Sequence, residues 1–259
     1  MGLQSAVRAA RAARNELGIG LEAPIPDLLN LVDTEAAVPV TVLELPEGIA
    51  GMLRRKREGS FIFINGTDAV ERQRFTLAHE FGHHRLGHRS VVDRSEDIFG
   101  FSRDPREVEA NAFAGEFLVP RHALENWLER HEREPASLET VTRLACFFGV
   151  SAQMMRIRLQ NARRIGKADA RSLDERIKQR EHLALRDELG LSRFNDQLAE
   201  IRWSGRLPRL PARTRRGVRA AFRAGLVDLD EAAALLRQSV RDVRIELERD
   251  PRSEECLDE

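Results

Sequence analysis

Four of the seven histidines, His79, His83, His84 and His88, fall within "RFTLAHEFGHHRLGH" at residues 74–88. Imidazole is the commonest metal ligand and the side chain that titrates nearest neutrality. His79 and His83 stand four residues apart, so on a helix both rings project from one face and one tetrahedral ion can take a nitrogen from each. Glu80 lies beside that face, within reach of the position where a water would sit. This is the H-E-x-x-H arrangement, in which the ion lowers the pKa of a water and the glutamate accepts its proton. Phe75, Leu77, Ala78 and Phe81 make the helix half-buried, where unliganded histidines would be awkward.

A site of this kind wants a third protein ligand and one open position. Downstream, "EVEANAFAGEFL" offers Glu107 and Glu109. Asp104-Pro105-Arg106-Glu107 has the form of a helix start, which gives Glu107 a capping role. Glu109 is followed by Ala110, Asn111 and Ala112, small enough for a close approach of the two helices. Glu109 is therefore preferred as ligand, with Glu107 the alternative, and Asn111 is a candidate hydrogen-bond partner behind a ligand. His84 follows a ligand directly and points about 100° away around the helix. His88 lies past the helix end, as either a hydrogen-bond partner behind a ligand or a solvated loop residue. The chain contains no tyrosine, so a donor to a developing oxyanion must come from elsewhere, with His88 and His122 as candidates. Zinc is the first choice of metal, and two histidines with a carboxylate and open positions also suit Mn2+ or Fe2+.

These groups need elements to hold them. Asp68 and Glu71 have capping-box spacing, predicting a helix from about residue 69 to about Leu86, with Gly87 as its stop. Upstream, "VPVTVLEL", "IAGMLRRKREG" and "SFIFIN" read as about three strands, preceded by an alanine- and arginine-rich helix at 4–17. Residues 89–103 show no period and read as a loop. Further helices are expected at about 121–131, 137–148 and from Ser151.

Together, "RQRFTLAHEFGHHRLGH" and "EVEANAFAGEFLVP" resemble the ImmA/IrrE family of metallopeptidases. The resemblance extends upstream to the N-terminal helix and "FIFIN", and downstream through "FFGVSAQMMRIRL", covering residues 1 to about 162. It implies a compact zincin-like domain with a small sheet beside the active-site helix. By the same resemblance His79, His83 and Glu109 hold the metal and Glu80 is the general base. The implied substrate is a helix-turn-helix transcriptional repressor, whose cleavage derepresses genes of mobile elements or stress responses. An extended substrate strand is expected against a sheet edge at residues 48–64.

The chain has 259 residues, 32% of them charged, and no net charge, which suits a globular protein and gives no global case for nucleic acid. Two distant cysteines, Cys146 and Cys256, exclude a cysteine-rich metal site. Cys146 reads as a small buried hydrophobe and Cys256 as part of a frayed tail. With no signal-peptide core and no apolar run of membrane-spanning length, a cytoplasmic protein without a membrane partner is expected. The expected fold is α+β: a mainly helical zincin-like metallopeptidase domain with a small three-stranded sheet at 1–165, then an all-α C-terminal domain at 166–259.

Two segments invite a rival reading. Ala145, Gly149 and Ser151 have helix-turn-helix spacing within 137–161, presenting Arg156 and Arg158 as candidate DNA contacts. The C-terminal "GLVDLDEAAALLRQSVRDVRIEL" reads likewise, with Arg215, Arg216 and Arg219 upstream as candidate phosphate or partner contacts. Asp242, Glu246 and Glu248 weigh against its last helix entering a groove. The alternative function is therefore a DNA-binding transcriptional regulator whose metal site is structural or sensory. The sequence leaves the oligomeric state open.

Overall fold

The computed structural model describes residues 2–57, 59–89, 91–94, 104–131, 134–191 and 208–248. It is α+β and mainly helical. Helix α1 (Leu3–Glu16) buries a stripe of Ala6, Ala10 and Ala13, small residues that let it lie close against a later helix. A short turn of helix, α2 (Leu28–Asn30), runs into a five-residue π turn at Leu31–Glu35 and leads to the sheet.

The three expected strands form: β1 (Val40–Leu43), β2 (Ile49–Lys56) and β3 (Gly59–Asn65). A fourth, β4 (Val91–Arg94), joins them from the stretch expected to be a loop, giving the order β1-β3-β2-β4. Four residues held by pairing with β2 leave no periodicity to read, since the partner supplies the ordering. β1 runs parallel to β3, while β2 pairs antiparallel with both β3 and β4. The 48–64 stretch, expected to offer an edge, is therefore the interior of the sheet. The outer strands are β1 and β4.

Helix α3 (Val70–Arg85) carries the histidines across the sheet. Its start differs from the expected capping box: Ala69 is the N-cap and makes no side-chain bond, while Asp68 pairs with Arg72. Gln73 Nε2 reaches back to the Gly66 and Asp68 carbonyls and fixes the entering turn. Gly87, at φ 75°, lets the chain leave after Leu86. Helix α4 (Pro105–Leu118) begins as expected with Asp104 accepting from the Arg106 amide and proline in the first turn. α3 and α4 pack through Phe81, whose ring meets Phe113 at 5.9 Å and Phe117 at 5.5 Å between centroids. Gly82 permits this closeness, because a Cβ there would stand 2.9 Å from the Phe113 ring.

Helices α5 (Arg121–His131), α6 (Leu138–Phe148) and α7 (Ala152–Asn161) follow. Gly149, left-handed at φ 64°, joins α6 to α7 under the Arg74 side chain. Arg74 is fully buried and donates to the Ile25, Pro26 and Gly149 carbonyls, tying three segments together; burial pushes its pKa down to about 10, against the pull of Asp27 and Glu71. The charged stretch beyond 165 forms α8 (Lys167–Lys178) and α9 (Glu181–Glu188), and Ala170, Leu173 and Ile177 join the first core. The core thus continues past residue 165.

A second, smaller core lies in α10 (Ala212–Arg223), α11 (Leu229–Leu236) and α12 (Val240–Glu248), built on Val218, Ala232, Ala233, Leu236 and Val243. Asp228 and Glu231 form a capping box at the start of α11. Main-chain bonds between Val42 and Arg209 extend the β1 edge, and Asp33 accepts from the Ala212 amide at the start of α10. Among the described residues no helix is long and apolar enough to cross a membrane. Cys256, the acidic terminus and the side chains of Glu246 and Glu248 lie outside the described residues.

Candidate metal centre

Helical spacing puts His79 and His83 on one face of α3, and α4 brings a carboxylate to meet them. The two Nε2 atoms lie 2.9 Å apart. One Glu107 oxygen is 3.2 Å from His79 Nε2 and the other is 3.4 Å from His83 Nε2. Among the described residues, His79, His83 and Glu107 gather donor atoms closely enough to hold one ion. Both histidines are fully buried and Glu107 is nearly so.

The preferred carboxylate was Glu109, and here the geometry differs. Glu109 turns to His88, with Oε2 3.2 Å from Nε2, while Glu107 faces the histidine pair. The cause is helical phase. Asn111 Oδ1 stands 2.9 Å from His79 Nδ1, so the α4 face towards α3 contains position 111 and, one turn earlier, position 107. Position 109 is two residues from each, about 200° around the helix. Asp104 alone caps the helix, leaving the Glu107 side chain for the centre.

The protons in this cluster can be assigned from their partners. Asn111 Oδ1 accepts, so His79 carries its hydrogen on Nδ1 and turns an Nε2 lone pair inward. Glu109 accepts from His88 Nε2–H, which leaves His88 Nδ1 as an acceptor. His83 Nδ1, 2.8 Å from that atom, must then donate, and its Nε2 also presents a lone pair. Burial lowers the His88 pKa despite Glu109, in keeping with a neutral ring. Two imidazole lone pairs and a carboxylate therefore converge with no proton among them.

Such a set is unfavourable when buried unless positive charge sits at its focus. The donor chemistry, two neutral nitrogens and one anionic oxygen with each imidazole fixed from behind, fits a divalent cation of the zinc type.

Glu80, fully buried, follows His79 on α3 and packs under β2. Gly51 makes that approach possible: a Cβ there would meet Glu80 Oε1 at 2.6 Å and Thr76 Cγ2 at 2.5 Å. The Glu80 carboxylate is thus seated between α3 and a bare point of strand backbone.

The other sequence candidates lie elsewhere. His84 stacks against Phe81, its carbonyl accepts from Arg55, and burial with Arg55 and Arg85 nearby pushes its pKa down to about 4. His88 belongs behind His83. The candidate oxyanion donor His122 instead faces solvent on α5 beside Glu22 and Asn126. Arg156 pairs with Asp174, and Arg158 bonds Glu116 and the Val119 carbonyl. Both arginines are internal ties between helices, which removes them as DNA contacts. Arg215 and Arg219 are half-buried, Arg215 donating to the Leu210 carbonyl, and Arg216 is exposed. Gly51 was not singled out from the sequence, and Glu107 stood second to Glu109 there; the four-residue spacing of Glu107 and Asn111 was the available signal for which carboxylate faces His79 and His83.

Residues 34–160 match the family model of the IrrE N-terminal-like domain. The chain is also 35% identical over 72 residues to a Bacillus phage phi105 protein named "Uncharacterized immunity region protein 2". That match covers 28% of this chain and 46% of the phage protein, so it spans under half of the relative's length.

Proposed function

With residues 34–160 belonging to the IrrE N-terminal-like family, a family of metallopeptidase type, we propose that this chain is a zinc-dependent endopeptidase that cuts a helix-turn-helix transcriptional repressor. The observation that carries the hydrolytic reading is the convergence of His79 Nε2, His83 Nε2 and Glu107 at 2.9 to 3.4 Å, with Glu80 next in sequence to the first ligand. In this reading His79, His83 and Glu107 hold the metal, with Glu107 taking the role first given to Glu109.

A bound divalent cation supplies Lewis acidity toward a water and a peptide carbonyl. The protein's own part is orientation and proton handling. Asn111 holds the His79 ring and His88 holds the His83 ring, so both lone pairs stay aimed inward. Glu80 takes a proton from the attacking water at its carboxylate and delivers it to the departing amine, the work of one group acting first as base and then as acid. Burial of these side chains keeps bulk water from competing with that transfer.

A regulatory substrate is supported by the relative named for a phage immunity region. The repressor-cleaving reading is tested by incubating the zinc-loaded protein with a helix-turn-helix regulator encoded beside it. A defined fragment, absent with chelator and absent with Glu80→Gln, is expected. Intact regulator in every lane would remove repressor cleavage from the account. Retained full biological activity in Glu80→Gln would favour the alternative of a DNA-binding regulator with a structural metal.

A further inference from the structure

His83 is held from behind in an uncommon way. Metal-bound imidazoles ordinarily donate their other N–H to a carboxylate, a backbone carbonyl or water. His79 follows a near equivalent, donating to the Asn111 side-chain oxygen. His83 instead meets a second imidazole, Nδ1 to Nδ1 at 2.8 Å, and that ring meets Glu109 through Nε2 at 3.2 Å. The rings of His83 and His88 stand edge to face, 4.9 Å between centroids. His88 and Glu109 are largely enclosed.

The chain builds this relay from two independent segments. Gly87 turns the backbone at the end of α3, and the His88 amide bonds the His83 carbonyl, which folds residue 88 back beneath residue 83. Arg55 on β2 clamps the same turn through the His84 and His88 carbonyls. Glu109 arrives from α4, on a different face from Glu107. One helix thus supplies a carboxylate to the front of the histidine pair and another to its back.

We propose that His88 and Glu109 are positioning residues that set the tautomer and aim of His83, and so tune the affinity of the centre for its metal. The proposal rests on the metal-centre reading above. Glu109 fixes which nitrogen of His88 carries hydrogen; His88 Nδ1 must then accept; His83 must donate from Nδ1; its Nε2 is left as a ligand. A neutral imidazole in the middle of this chain hands on the direction of the hydrogen bonds without placing the Glu109 charge directly against the ligand. Glu109, whose place in the sequence made it the favoured ligand, acts two hydrogen bonds away from the metal.

The experiment is a chelator competition on the full-length purified protein with zinc alone, which needs no substrate. His88→Leu fills the space but cannot accept from His83, and its zinc dissociation constant should rise about 10- to 100-fold. His88→Gln keeps an oxygen to accept from His83 and an amide to donate to Glu109, and should return affinity to within a few-fold of wild type. Glu109→Gln should weaken binding less than His88→Leu. Circular dichroism and thermal unfolding accompany each variant, so a loss that tracks unfolding and is not rescued by His88→Gln counts against positioning. Equal affinity in wild type and folded His88→Leu would overturn the relay while leaving the metal centre standing. Abolished binding in Glu109→Ala with retained binding in Glu107→Ala would overturn it by making Glu109 the ligand. Absence of zinc binding by wild type would remove the metal reading itself.

Discussion

Asn111 decides which glutamate belongs to the centre. Its contact with His79 fixes the inner face of α4, and Glu107 shares that face one turn away whereas Glu109 does not. The histidine pair and Glu80 were legible because H-E-x-x-H encodes its geometry within one helical turn. The carboxylate that faces them was not, because weighing Glu107 as a capping residue hid its spacing from Asn111. At this scale Glu80→Gln should keep zinc and fold while peptide hydrolysis falls about 10²- to 10⁴-fold, the usual contribution of a positioned base; equal metal content with lost cleavage is the pattern to look for. A Glu80→Gln protein that lost its zinc would assign Glu80 to the metal instead.

The ligand helix works only because neighbouring elements come unusually close to it. Gly51 lets β2 lie on Glu80, and Gly82 lets Phe113 of α4 lie on α3. Neither closeness announces itself in a single sequence, since a glycine in a strand or helix is equally consistent with mere tolerance. Gly51→Ala should push the Glu80 carboxylate from its seat, lowering hydrolysis by about tenfold or more, ~1.4 kcal/mol of transition-state stabilisation, with zinc affinity little changed. Hydrolysis equal to wild type in a folded Gly51→Ala protein would show that β2 yields to the methyl. Gly82→Ala should instead cost stability, about 1–3 kcal/mol by overpacking, read as a lowered denaturant midpoint. Strand β4 was missed for a related reason: its order comes from pairing with β2, a non-local fact.

Among the described residues, two cores of different size meet where the start of the second lies against the β1 edge. The α+β character and the helical C-terminal region were readable from periodicity, and Asp228 with Glu231 forms a capping box there. What composition hid is that the charged stretch after 165 buries Ala170, Leu173 and Ile177 in the first core; its apolar positions are few but share one face. The second core touches the first through the Val42–Arg209 pairing and Asp33. A chain ending at residue 191 should therefore retain zinc binding and a cooperative unfolding transition; loss of both would mean the second core completes the first. The central claim, that His79, His83 and Glu107 form a metal centre, is tested most directly by the zinc content of stripped, reloaded and desalted protein. The account predicts about one equivalent in wild type and in Glu109→Ala, and little in Glu107→Ala. No bound zinc in wild type, or a full equivalent in folded Glu107→Ala, would contradict it.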